Sequence, residues 1–191
     1  MGRNKALLPV PPNDMPLVCY ILRQLVGFVS DACIVVSNDP QVSLTVADNA
    51  GVSVLADRWP EGGALGGVAT GIAACREWAM VVACDLPLVD PSIFARLIEL
   101  AGNHPDVDAV IPLVAGQMQP FHGLWRRTAL PLLEAQITVG DLALHRALTK
   151  LDVVWADEQI LGIGPDCLAF TNVNTQEEWE SVQAILRRGE A

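Results

Sequence analysis

Residues 79–87 read AMVVACDLP. The stretch is apolar from Ala79 to Cys84, stops on Asp85, and continues into Leu86-Pro87. A short continuous apolar run of this kind predicts a strand covered on both faces, as in a parallel sheet flanked by helices. Asp85 then stands just past the strand's carboxyl end, where open α/β sheets bind their ligands. A carboxylate there can hold Mg²⁺, a hard cation that takes oxygen ligands. It can equally cap the following turn. The stretch by itself leaves both readings open.

Working outward, the same texture recurs. ACIVVS (32–37), GVSVLAD (51–57), VDAVIPL (107–113), LDVVW (151–155) and CLAFTNVN (167–174) predict further strands. Helices are predicted between them. In residues 15–28, Val18, Ile21, Leu22 and Leu25 fall at helical spacing. Residues 67–78 form a small-residue segment, and 90–102 open with Asp90 as N-cap and Pro91 at the first helical position. Residues 129–136, 141–150 and 175–188 complete the set, the last with a capping box made by Thr175 and Glu178. Strands alternating with helices imply an α/β domain, a mostly parallel sheet between two helical layers. With 191 residues and no low-complexity linker, one domain over 1–191 is expected.

Composition narrows the function. The chain is 51% hydrophobic and 18% charged, enough for a sizeable core. Its net charge of −10 argues against nucleic acid as a partner, because such binding relies on a basic surface. No apolar run is long enough for a membrane span, and the start is too short in apolar residues for a signal peptide. A soluble, cytoplasmic protein is expected, with no membrane partner. Cys19, Cys33, Cys75, Cys84 and Cys167 sit among apolar neighbours without metal-type spacing. They read as buried thiols.

The residues following the predicted strands are the candidate site: Ser37 and Asn38, Asp57, Asp85, and Asn172 to Asn174. Asp57 can accept hydrogen bonds from a base or ribose, or simply turn the chain. Asn172 and Asn174 flank Val173 on one side of a strand end, so both can meet a polar ligand. The glycine-rich GGALGGVATG (62–71) lets backbone approach a ligand, or packs a helix closely on the sheet. It matches neither the dinucleotide nor the Walker spacing. Lys5 can clamp a phosphate or be a solvated terminal lysine, and Arg3 shares that ambiguity. His122 is more readily structural than catalytic, and His104 and His145 carry no signal.

Taken in order, MGRNKALLP (1–9), GALGGVATGI (63–72), VVACDLP (81–87) and FTNVNT (170–175) resemble the molybdenum cofactor guanylyltransferases. These belong among the nucleotidyltransferases of Rossmann-like α/β/α fold. The resemblance covers nearly the whole chain. The family pattern opens with a strand and the loop L-A-G-G-x-S-x-R, then M-G-x-x-K, and this sequence starts at that methionine. The pattern's first strand is therefore expected to be missing from the chain. The loop that reads G-P-L-A-G in the family reads Gly63-Ala64-Leu65-Gly66-Gly67 here.

The resemblance implies transfer of GMP from GTP to the terminal phosphate of a molybdopterin cofactor, with release of pyrophosphate and with Mg²⁺ as cofactor. It implies that Lys5 binds phosphate and that Asp85 holds the metal and meets the nucleotide. Asp57, Asn38, Gly66 and Gly67 fall on the nucleotide side, and Asn172 and Asn174 on the pterin side. It leaves room for transient contact with proteins that deliver or accept the cofactor. The alternatives are a cytidylyl- or sugar-phosphate nucleotidyltransferase, or a non-catalytic nucleotide- or cofactor-binding module.

Overall fold

Apolar runs become strands and amphipathic runs become helices in the order β1 (Pro9–Val10), β2 (Met15–Pro16), α1 (Leu17–Leu25), β3 (Cys33–Val36), α2 (Pro40–Val46), β4 (Val52–Leu55), α3 (Gly63–Ala74), β5 (Trp78–Val82) and α4 (Pro91–Asn103). There follow β6 (Ala109–Val114), β7 (Gln117–Met118), β8 (His122–Arg126), α5 (Leu130–Thr138), α6 (Leu144–Leu148), β9 (Val153–Asp157), α7 (Glu158–Leu161) and α8 (Gln176–Arg188). The structure, a computed structural model, describes residues 4–29, 33–49 and 51–188. Arg3 lies outside the described residues.

The larger sheet has the order β5-β8-β6, with β9 on the far side of β6. β9 runs parallel to β6, whereas β8 is antiparallel to both its neighbours, so β5, β6 and β9 share a direction. Alternation along the strands splits their side chains between two helical layers. Val110 of β6 and Leu124 of β8 pack with Phe94 and Leu97 of α4 and Trp179 of α8. Their neighbours Ala109, Ile111 and Trp125 pack with Leu65 and Ile72 of α3 and Leu133 of α5. The α/β/α layering follows directly from that alternation.

β3 and β4 pair in parallel as a separate ladder, and Val42 and Val46 of α2 cover it together with Val18 and Cys19 of α1. Among the described residues no ladder joins β3 to β5. Helix α3 packs against both strands and bridges them. No helix of the described residues is long and apolar enough to cross a membrane.

Three expectations change. Residues 167–174 do not form a strand: Val173 N–H donates to Asp85 O at 2.9 Å, but no ladder develops around that bond. The exposed-buried-exposed alternation of Asn172, Val173 and Asn174 survives even so. Helix α3 starts at Gly63, so the glycine-rich stretch is itself helical. Strand β8 lies in a segment whose fold the sequence reading left open. It is reached through the β6–β7 hairpin, whose two turn residues Ala115 and Gly116 both take positive φ, 49° and 72°, as a tight two-residue turn requires. All five cysteines are free thiols, but only Cys19 is fully buried.

Candidate active site

Three chain segments converge beyond the carboxyl end of β5. The first is a 3-10 turn at Lys5–Leu7, held by Asn4, whose Oδ1 accepts from Ala6 N–H at 3.1 Å. Burial of Ala6 anchors the turn and leaves the Lys5 side chain partly exposed. The second is the turn after β5, where Leu86 N–H donates to Ala83 O at 3.3 Å and presents Asp85. The third is the 172–174 segment. It is tied to Asp85 through Val173 and to α8 through Glu178, whose Oε2 accepts from Asn174 N–H at 2.6 Å and Thr175 N–H at 2.9 Å. Glu178 N–H donates in return to Thr175 Oγ1 at 3.2 Å, completing the capping box. These amides, with Asn174 first, hold the Glu178 carboxyl below its ordinary range.

Lys5 joins the three segments. Its Nζ donates to Asn174 Oδ1 at 2.7 Å and lies 3.4 Å from Asp85 Oδ2. Both side chains of the Lys5–Asp85 pair are about one-third exposed, at 32% each. One cation and one anion thus face solvent side by side, with Asp85 Oδ1 outside that contact. Among the described residues no group of three or more His, Cys, Asp or Glu side chains is arranged to hold a metal. Asp85 alone fits the way Mg²⁺ is held in phosphate-transfer sites, by one or two carboxylates, water and the substrate's own phosphates. The neighbouring thiol of Cys84 is pushed up to about 11 by burial and then by the Asp85 charge. It stays protonated, so it is not poised as a nucleophile.

A second group of residues lies past β3 and β4. Asp57 N–H donates to Asn38 Oδ1 at 2.9 Å. Asp57 Oδ1 accepts from Trp59 N–H and from the Thr70 hydroxyl, each at 2.9 Å. Gly66 lies in the first turns of α3, where a Cβ would stand 2.4 Å from the Trp59 carbonyl oxygen. Only glycine permits that approach. Gly67 instead has open space at its Cβ position, nothing lying within 4 Å. Of the two predicted glycines, Gly66 seats the Asp57 loop on the helix, and Gly67 offers the free face.

The two groups are linked through neighbouring residues. Asn4 Nδ2 donates to Asp39 Oδ2 at 2.6 Å, so the turn carrying Lys5 is fastened beside Asn38. That bond, and then the Gln41 amide, hold the Asp39 carboxyl below its usual range. Asp39 also caps α2, with Pro40 at the first helical position. Of the predicted residues, Lys5, Asp85 and Asn174 come together, and so do Asn38 and Asp57 with the start of α3. Asn172 is exposed and stands outside these hydrogen bonds. Asn4, Thr70 and Glu178 escape prediction as site residues. Asn4 carries a capping-type signature, and Glu178 is visible as half of a capping box. Thr70 gives no sign.

His122 lies behind the Asp85 turn, paired with Val82 across β5 and β8. Its ring stacks on Phe94, centroids 4.4 Å apart at 16°, and meets Phe170 at 4.8 Å and 53°. Neither ring nitrogen has a partner among the described residues. Burial lowers its pKa to about 4, so the ring is neutral at physiological pH.

A lysine and an aspartate beyond the carboxyl end of β5, with polar loops beyond β3 and β4, occupy the place where α/β folds bind their ligands. The family model described as the MobA-like NTP transferase domain matches residues 1–154, and the chain belongs to that family. It is 32% identical over 148 residues to a molybdenum cofactor guanylyltransferase of Pseudomonas entomophila, covering 77% of this chain and 74% of the relative. It is 28% identical over 129 residues to a protein of the same description from Desulfosudis oleivorans, covering 66% of this chain and 63% of that relative's length. In fold it is similar to the crystal structure of molybdopterin-guanine dinucleotide biosynthesis protein A from Archaeoglobus fulgidus. The TM-score is 0.80 at 21% identity, over 98% of this chain and 92% of that one.

Proposed function

We propose that the chain transfers GMP from GTP to the terminal phosphate of a molybdopterin cofactor and releases pyrophosphate. The observation that carries this reading is the meeting of Lys5, Asp85 and Asn174 at the carboxyl edge of the sheet, in a family of NTP transferase domains. The names of its relatives supply the acceptor and the base.

In the reaction, an oxygen of the acceptor phosphate attacks the α-phosphorus of GTP. The bond from that phosphorus to the α–β bridging oxygen breaks, and its electron pair leaves with pyrophosphate. No covalent enzyme intermediate is required. The protein's task is therefore to hold the two reactants in line and to neutralise charge. Lys5 supplies one positive charge to the triphosphate and to the departing pyrophosphate. Asn174 orients that ammonium by accepting from it. Asp85 is the residue that would hold Mg²⁺, which when bound spreads the phosphates' negative charge. Asp57 and Asn38 turn toward the nucleoside, and Gly67 gives it an open helix face. Asn172 lies on the acceptor side. At a net charge of −10 the protein repels polyanions at long range, so binding relies on these local charges rather than on steering. A cytoplasmic setting, where GTP is abundant, goes with this reading.

The test is pyrophosphate release on mixing Mg²⁺, GTP and molybdopterin cofactor with the folded protein. Release that requires both substrates, and that fails with CTP in place of GTP, is the expected result. No release from a protein shown to be folded, or equal release with CTP, overturns the proposal.

A further inference from the structure

The Thr70 hydroxyl both donates and accepts a hydrogen bond within the fold. The side chain is 1% exposed and sits on the inner face of α3, one turn beyond Gly66 and Gly67. Its Oγ1 donates to Asp57 Oδ1 at 2.9 Å and accepts from Arg58 N–H at 3.0 Å. The same Asp57 oxygen accepts a second bond, from Trp59 N–H. The Asp57 backbone is fixed from the other side by Asn38. The 57–59 loop is therefore stitched to α3 by one hydroxyl, and the Gly66–Trp59 approach closes the seam below it.

This arrangement treats the two carboxylate oxygens differently. Oδ1 is filled by two donors from the protein. Oδ2 is left out of those bonds, in a residue that is only partly buried. A free aspartate rotates about χ2 and offers either oxygen over a broad arc. With Oδ1 pinned, Asp57 offers one anionic acceptor in one direction.

We infer that Thr70 is a specificity-determining positioning residue: through Asp57 it aims a single carboxylate oxygen at an N–H donor on the edge of the nucleobase. The inference rests on the reading that Asp57 faces the nucleoside. Guanine carries its ring N1–H and exocyclic N2–H donors side by side, whereas the same edge of cytosine presents one amino donor, N4–H, beside the acceptors N3 and O2. A carboxylate oxygen held in place can meet either guanine donor, but it meets the single cytosine donor only with the base shifted, the adjacent N3 lone pair otherwise facing its charge. One allowed to swing away discriminates less, because it no longer meets the wrong base with an unpaired charge. A hydroxyl that does not itself touch the ligand thereby sets which nucleotide is accepted.

The test compares the wild type with Thr70→Val, which keeps the shape and removes the hydroxyl, and with Thr70→Ser, which restores it. GTP and CTP binding with Mg²⁺ is read by calorimetry, and transfer kinetics give KM and kcat separately. Thr70→Val is expected to weaken GTP binding about tenfold, the loss typical of a hydrogen bond to a charged group, and to narrow the GTP/CTP ratio by a similar factor. It should change kcat at saturating GTP far less than KM. Thr70→Ser should return the ratio to within about threefold of the wild type, since the polar partner is restored. In Asp57→Asn, adding Thr70→Val should cost nothing further, because the hydroxyl acts through that carboxylate. Additive losses, or a Thr70→Val protein that is less stable but keeps the full GTP/CTP ratio, overturn the inference and leave the nucleotidyltransferase reading intact. A wild type that binds neither nucleotide overturns both.

Discussion

Lys5 Nζ donates to Asn174 Oδ1 at 2.7 Å although 169 positions separate the two residues. The bond ties the turn before β1 to the segment before α8 over the carboxyl end of β5, and Asp85 lies 3.4 Å from the same ammonium. Each partner is held by its own helix terminus or turn. Asn4 caps the turn that carries Lys5, and the Glu178 carboxylate accepts from the Asn174 amide. The lysine is thereby aimed before any ligand arrives, so little reorganisation is needed to neutralise a phosphate.

Replacing that charge is the most direct check on its role. Lys5→Met should reduce the rate of transfer by about 10²–10³, the usual loss for one charge-stabilising contact. Lys5→Arg should recover only part of it, because a planar guanidinium cannot replace a compact ammonium between Asp85 and Asn174. Steady-state kinetics with pyrophosphate detection reads both. Full activity in Lys5→Met would remove the residue from the mechanism.

Asp85→Asn keeps the turn and removes the charge. Transfer should fall by about 10²–10³, and the Mg²⁺ concentration giving half-maximal rate should rise. The circular dichroism spectrum should be unchanged. An unaltered Mg²⁺ dependence would show that the metal is held elsewhere.

Gly66 and Gly67 are adjacent, yet they should respond oppositely to alanine. At Gly66 the new Cβ meets the Trp59 backbone oxygen, and forcing the loop away should cost about 1–3 kcal/mol. At Gly67 the methyl points into open space within a helix, so the unliganded protein should gain about 0.5–1 kcal/mol. Nucleotide binding by Gly67→Ala should nevertheless weaken, if that face receives the ligand. Urea unfolding with and without GTP separates the two effects.

His122 makes stability depend on pH. Its folded-state pKa of about 4 lies below the ordinary 6.5, because burial disfavours the charged ring. As pH falls below 6.5 the unfolded chain takes up a proton that the folded chain refuses, so stability declines from about pH 6.5 to about pH 4 and then levels off. The loss from this residue is about 3 kcal/mol. His122→Phe, which can keep the stack on Phe94, should flatten that part of the urea-midpoint profile. An unchanged slope would assign the acid sensitivity to other groups.

Much of this site was legible from residues that close elements. Asp90-Pro91 and Thr175-Glu178 announce helix starts through local capping chemistry, which tertiary structure leaves intact. Asp85 was visible because an apolar strand stops there. The antiparallel strand β8 was not. Its pattern, HGLWR, has no clean alternation because burial on both faces of a sheet removes the polar half of the signal. Residues 167–174 looked like a strand for the same reason in reverse: apolar content recruits a segment to the core, and only neighbouring strand edges make it a strand. Thr70 was hidden because a threonine in a small-residue helix reads as packing. Its importance comes from Asp57, a partner 13 positions earlier in the chain.

The contacts between the β3–β4 ladder and the rest of the fold have a consequence for ligand binding. β3, α2 and β4 are attached through α3, through α1 and through the Asn4–Asp39 contact, but through no strand hydrogen bonds among the described residues. A nucleotide reaching from Asp57 to Lys5 and Asp85 would span the two ladders. Hydrogen exchange should then slow mainly in β3 and β4 when ligand binds. Part of the binding energy would then be spent on fastening one ladder to the other.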